Sequence, residues 1–283
     1  MASRVLAGAS RDAIAEAQGA LEAALAPAAA ATGKGAADSR AVAEDLFSVT
    51  AVLASNPSLR KALTDPSRTA ADRQGLAESL FSGKVSVTAL TAVSGLAGAR
   101  WSASGDIVEG TERLAVGALL AGAEAAGRLD AVEDELFRFG RLVGGNVGLL
   151  DAFSARTSGA DRKTALVETL LAGKAAPETV RLAQQAVALR RGRSVEDAIE
   201  GFVDAAAKRR SQLVAEVVTA SPLSEAQITR LTAALTNLYG RAIRTAVEVD
   251  PDIVGGLKVT VAGEVIDGSV LGKLATVKQR LAG

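Results

Sequence analysis

Histidine and cysteine are both missing from this 283-residue chain. Without imidazole it has no side chain that titrates near neutrality as a general base, and no ordinary zinc site. Without thiols, disulfide frameworks and cysteine nucleophiles are excluded. Aromatic residues make up only 3 %, so any core is built from Leu, Val, Ile and Ala. Lys+Arg and Asp+Glu both number 32, giving a net charge of zero. That argues against the basic face a nucleic-acid binder needs. Long apolar runs are lacking too. LAVGALLAGA, at 114–123 between Arg113 and Glu124, is only half the length of about 20 residues that a bilayer requires. The opening MASRVLAGASRDAI is charged too early for the apolar stretch of a secretory signal. A soluble protein without direct membrane insertion is expected, docked at most on something embedded in a membrane.

What is present is helix-forming and repetitive. The hydrophobic fraction is 48 %, and Ala and Leu are strong helix formers that allow close helix–helix approach. EDLFSVTAVLASNPSLRKAL (44–63) is echoed by DELFRFGRLVGGNVGLLDAF (134–153): Leu46, Phe47, Asn56, Leu59 and Ala62 recur as Leu136, Phe137, Asn146, Leu149 and Ala152. ADRQGLAESLFSGK (71–84) is matched by ADRKTALVETLLAGK (160–174), RWSASGDIVEG (100–110) by RRGRSVEDAIEG (190–201), and RVLAGASRDAIAEA (4–17) by RLAVGALLAGAEAA (113–126). Four blocks in one order indicate two tandem copies of a helical bundle, 1–108 and 109–210. An insert at 26–40, rich in Pro, Gly and small residues, reads as a linker. Leu46, Val49, Val52 and Leu53 follow the three- and four-residue spacing of an amphipathic helix. Asn56-Pro57 and the stretch 64–73 break helices. Five or six short helices per copy are expected.

From 211 the texture changes, and 211–283 reads as a small α/β domain. LVAEVVTA (213–220) and TAVEV (245–249) are β-branched strands. Between them, Ser224 and Gln227 form a capping box with Leu223 and Ile228 as staple. Ile228, Leu231, Leu235 and Leu238 line one helix face, and Gly240 is placed for a left-handed cap. LKVTVAGEVI (257–266) alternates and turns at Ala262-Gly263, a hairpin. A last helix follows from Ser269. The expected fold class is therefore mainly α: two tandem helical bundles and then a small α/β domain with a β-hairpin.

No catalytic, metal or cofactor site emerges. Gly-Lys pairs ending at Lys34, Lys84, Lys174 and Lys273 lack the glycine spacing and the Ser/Thr of a phosphate loop. Gly255-Gly256 is no dinucleotide fingerprint. Glu133/Glu135 and Asp250/Asp252 read as solvated acids or turn residues. LRRGR (189–193) and KRRSQ (208–212) read as helix-end charges. The residues point to a non-catalytic interaction protein.

TASPLSEAQ (219–227), VDPDIVGGLKV (249–259) and VIDGSV (265–270) resemble, in order and spacing, the conserved run of the delta subunit of bacterial F-type ATP synthase, the oligomycin-sensitivity-conferring protein family. Residues 113–210 resemble that family's N-terminal bundle, and 1–108 a second copy, as in longer forms from some high-GC bacteria. Arg4 and Arg113 are followed by Val5 and Leu114 where the family usually has Tyr, and Leu271 stands where it often has a basic residue. The resemblance implies a peripheral-stalk (stator) subunit on the cytoplasmic face of the cell membrane. It would link the α3β3 head, through α-subunit N-terminal tails, to the b-type stalk subunit. It would itself be neither enzyme nor cofactor binder. The alternatives are a non-catalytic helical adaptor outside the ATP synthase and a carboxylate-dependent enzyme. By resemblance, the tail grooves would fall on the first helix of each copy: Val5, Leu6 and Ala9, and Leu114, Ala115, Ala118 and Leu119. Two similar bundles would grip two tails, unless the first only braces the stalk. Gly255, Gly256, Leu257 and Val259 would shape the stalk-binding domain.

Overall fold

Apolar residues at helical spacing, punctuated by caps, fold the first three quarters of the chain into eleven helices among the described residues. The computed structural model describes residues 6–31, 35–155, 159–211, 213–239, 243–250, 256–261 and 264–267. The helices are α1 (Gly8–Ala31), α2 (Gly35–Ser55), α3 (Pro57–Leu63), α4 (Ala70–Phe81), α5 (Val87–Gly98), α6 (Asp106–Ala125), α7 (Leu129–Gly144), α8 (Val147–Ser154), α9 (Ala160–Leu171), α10 (Pro177–Ala188) and α11 (Val195–Ser211). The starts of α3, α4 and α5 recur 90 residues on as those of α8, α9 and α10. The same helix pairs pack in each copy: α1 with α2 and α5, and α2 with α5, against α6 with α7 and α10, and α7 with α10.

Helix α6 belongs to both copies. It follows α5 as α11 follows α10, and precedes α7 as α1 precedes α2. The boundary expected at 108/109 therefore falls inside one continuous helix. A single core runs from Ala17 to Ala206, and the chain divides into two compact units between Ala207 and Lys208. The two bundles are one unit rather than separate domains, because a shared helix cannot be parted from either. Of the insert 26–40, read as a linker, α1 takes in the residues up to Ala31 and α2 those from Gly35, while 32–34 lie outside the described residues. Of the stripe on α2, Leu46, Val49 and Leu53 are buried, but Val52 is 41 % exposed.

The repeat extends to the hydrogen bonds that start and stop helices. Asp45 on α2 accepts from the Ser86 amide at the start of α5, at 2.7 Å. Glu135 on α7 stands 90 residues later and accepts from the Ala176 amide (2.8 Å) and the Thr179 hydroxyl (2.6 Å) at the start of α10. Each carboxylate satisfies donors that a helix N-terminus leaves open. The Gly-Lys pairs terminate α4 and α9: Gly83 and Gly173 adopt φ of 71° and 66°, the left-handed backbone that glycine tolerates. Lys84 and Lys174 then donate to the Leu80 and Leu170 carbonyls.

In the second unit β1 (Leu213–Thr219), α12 (Glu225–Tyr239), β2 (Ile243–Val249), β3 (Leu257–Val261) and β4 (Glu264–Asp267) follow in order. The sheet order is β2-β1-β3-β4. β1 pairs parallel with β2 and antiparallel with β3, and β3–β4 is the hairpin, with Val261 opposite Glu264. The capping box is formed: the Ser224 amide donates to Gln227 Oε1 at 2.8 Å, and the Gln227 amide to Ser224 Oγ at 3.4 Å. Ala215, Val217, Leu235, Ile243, Val259 and Val261 make the core, with Leu223, Leu231 and Leu257 against it. Leu238, expected on the buried face of α12, is 68 % exposed. Gly240, the turn residues Ala262 and Gly263, and the helix expected from Ser269 lie outside the described residues.

Glu135→Ala and Asp45→Ala each remove a helix cap and should each lower stability by about 1–2 kcal/mol. Because the two caps serve different helix pairs, the double variant should lose close to the sum. Urea denaturation checks this; no loss in either single variant would show that the caps contribute nothing.

Candidate functional site

The residues expected to line the second tail groove are inside the protein. Leu114, Ala115 and Ala118 on α6 have no exposed surface and Leu119 has 1 %. The reason is packing: α1 and α2 lie against α6. Small side chains on α6 do accept neighbouring helices, as expected, but the helices are the chain's own. Of the matching positions in the first copy, Leu6, just before α1, is half-buried and Ala9, on α1, is exposed. Val5 lies outside the described residues. The structure thus brings the α6 set together in the core, whereas of the first-copy set Ala9 is on the surface.

The first copy meets the second through a contact that sequence reasoning missed. Arg181 on α10 donates through Nε to both carboxylate oxygens of Glu44 on α2, at 3.0 and 2.8 Å. Its guanidinium lies 4.1 Å from the ring centre of Phe47. Ion pair and cation–π contact are combined on one partly buried arginine, a pairing worth about 1–2 kcal/mol for the ring contact alone. The signal was present in the repeat, which aligns Glu44 and Phe47 with Asp134 and Phe137, but periodicity does not reveal which copy is covered.

A second cross-link anchors the loop between α10 and α11 onto α6. Glu112, 2 % exposed, receives Arg191 Nη2, Arg193 Nη2 at 2.7 Å and Gln185 Nε2 at 3.2 Å. Arg191 also reaches Glu109 at 2.7 Å. To turn both arginines inward the loop runs left-handed through Arg191 (φ 49°) and Gly192 (φ 84°), a conformation that costs a non-glycine residue about 1 kcal/mol. LRRGR is thus an internal clamp as well as a helix-end charge cluster: Arg190 alone of its arginines caps a carbonyl, that of Ser154. Arg128 makes a two-pronged pair with Glu178, at 2.6 and 3.2 Å, joining the starts of α7 and α10.

Among the described residues no group of three or more carboxylates converges to hold a metal. Glu135 is committed to capping α10. Asp252 lies outside the described residues, as does Gly255. Gly256 is exposed, with φ 87°, a turn position that only glycine occupies without strain. Leu257 is half-buried, whereas Val259, expected at the stalk surface, is 2 % exposed and faces the sheet core.

The family model described as "ATP synthase delta (OSCP) subunit" matches residues 116–281. Proteins curated as ATP synthase subunit delta are similar over most of the chain. That of Kineococcus radiotolerans is 49 % identical over 247 residues, 87 % of this chain and 90 % of that protein. That of Streptomyces griseus subsp. griseus is 45 % identical, covering 87 % and 91 %. That of Parafrankia sp. is 43 % identical over 275 residues, covering 97 % and 99 %.

One clamp carboxylate and three turn or cap carboxylates set the acid response. Burial pushes the Glu109 carboxyl up, but the Arg191 and Arg113 guanidiniums outweigh it and hold the group below its ordinary 4.5. Hydrogen bonds from Ser67, Thr69 and Ser194 hold Asp65, Asp72 and Asp197 below 3.8. Depressed carboxylates contribute stability that is complete above their unfolded values and lost as pH falls through the folded ones. With no histidine, melting temperature should be flat from about pH 7 to 5.5 and drop below about pH 4. A fall already between pH 7 and 5.5, seen by calorimetry, would contradict this.

Proposed function

The chain belongs to the ATP synthase delta (OSCP) subunit family, and from that premise we propose that it is the peripheral-stalk, or stator, subunit. In this reading it links the α3β3 catalytic head to the b-type stalk subunits and resists the torque of the turning rotor. It is a non-catalytic subunit of the F-type complex, and its work is mechanical. The observation that carries the reading is the family match from α6 through the C-terminal unit. Among the described residues no helix is long and apolar enough to cross a membrane, and we place the chain on the cytoplasmic face, held by its partners. A stator needs stiffness: a single core and arginine clamps between its helices oppose bending, whereas a hinge between two bundles would absorb torque.

The α-subunit tail is assigned to the first copy, at the start of α1 with Ala9 and the preceding Leu6, because the corresponding face of α6 is filled by α1 and α2. An amphipathic tail helix would lay its apolar side on that part of α1. The b-type subunit is assigned to the C-terminal unit near Gly256 and Leu257.

Removing the chain should leave the soluble catalytic head able to hydrolyse ATP while abolishing ATP-driven proton pumping in vesicles. Vesicles that pump normally without it would defeat the stator reading. Titration of an α-tail peptide into the full chain should give one site, weakened at least tenfold by Ala9→Asp. Two sites of similar affinity, or indifference to Ala9→Asp, would overturn the assignment to α1.

A further inference from the structure

The contact between the copies is directional. The first offers a helix face, α2, with Glu44 and Phe47; the second answers with Arg181 on α10. Such a head-to-tail contact leaves the donor face of the second copy without a taker. That face is α7, where Asp134 stands at the position of Glu44 and Phe137 at that of Phe47. Phe47 is 3 % exposed and Phe137 is 58 % exposed. The same residue at the same place in the same kind of bundle differs only in what covers it. Ala43 and Thr50, one turn to either side of Phe47, are buried, whereas their counterparts Glu133 and Gly140 are half-buried, Gly140 lying against Ile199 of α11. Asp134, 53 % exposed, is held only by Arg138 on its own helix, at 2.8 Å, a surface pair of little stability and easily exchanged.

We propose that α7, through Asp134 and Phe137, is a docking face for an arginine-bearing helix of another subunit, its arginine held as Arg181 is held by Glu44 and Phe47. The guanidinium would pair with Asp134 and lie over the Phe137 ring. Charge and precedent within the chain fix the chemistry: the acid–aromatic pair three residues apart is the one that already takes an arginine once. A second copy of this chain is not the occupant. The free face of its first copy carries Thr91 where α10 carries Arg181, so it has no cation to offer. The inference rests on family membership only for the complex in which the occupant is sought, and not on the stator reading or on the tail site.

Hydroxyl-radical footprinting reads the native Phe137 ring directly, in the free chain and in purified intact ATP synthase. Phe137 should oxidise at least fivefold more slowly in the complex. Leu142 serves as control, because its counterpart Val52 stays 41 % exposed although Phe47 on the same helix is covered; its rate should not change. Asp134→Lys, a surface change that leaves the fold intact, should return Phe137 to its free rate. Equal oxidation of Phe137 in both states would remove the docking face. Protection that survives Asp134→Lys would show an occupant that does not use a cation, and would overturn the proposal. Both outcomes are read in the assembled complex whether or not coupling depends on this chain.

Discussion

The burial of α6 on all sides is the constraint on which the rest of the helical unit depends. Fifteen of its 20 residues are buried, far more than the one-sided stripe of a surface helix. Its Ala and Gly positions let neighbours approach closely: a Cβ at Gly110 would lie 2.9 Å from the Trp101 ring. α1 and α2 close on it from the first copy, and α7 and α10 from the second. The apolar stretch 114–123 that invites comparison with a membrane span is therefore the axis of a soluble core. Apart from Glu124 in its last turn, the charges on α6 stand in its first half, where Glu109 and Glu112 are neutralised by Arg191 and Arg193. A buried carboxylate of this kind persists only with its partners, since losing them would leave a charge without water.

Sharing a helix has a geometric consequence. Two bundles joined by a linker could each present every face to solvent. Two bundles joined through α6 spend one face of each on the other. The second copy loses its α6 face to α1 and α2, and the first gives Glu44 and Phe47 of α2 to Arg181 of α10. What remains free is complementary: the α1 face of the first copy and the α7 face of the second. Duplication here does not double one binding surface; it leaves the unit with two unlike ends.

Local rules in the sequence accounted for the helices and strands. Asn56-Pro57, Ser224 with Gln227, and the alternation of 257–261 act through contacts within a few residues, and each element began or ended where they indicate; the break read at 64–73 is shorter, since α4 starts at Ala70. The 90-residue repeat gave helix order for the same reason. Three features were not legible because they depend on partners distant in sequence. Val52 and Leu238 obey helical spacing yet face outward, since no neighbour reaches them. Leu114, Ala115, Ala118 and Leu119 have the size of groove residues, and small apolar residues look alike whether they receive a foreign helix or the chain's own. Phe47 and Phe137 are indistinguishable in the repeat, and only the position of Arg181 separates them.

The same divergence explains why a repeat of this kind keeps some residues and changes others. Asp45 and Glu135, Gly83 and Gly173, Lys84 and Lys174 serve helix ends within each copy, so both copies retain the chemistry. Arg181 and Thr91 occupy matched positions on α10 and α5, but only α10 has a bundle beside it to clamp. Arginine there binds the two copies, whereas Thr91 is exposed and bonds only back along its own helix, to the Val87 carbonyl. Internal positions are thus held alike by the fold, and positions at the junction differ because the array has a first and a last member. For a subunit proposed to carry force between two partners, that asymmetry is useful: a rigid body with two different ends can be held at each by a different partner, and neither can take the other's place.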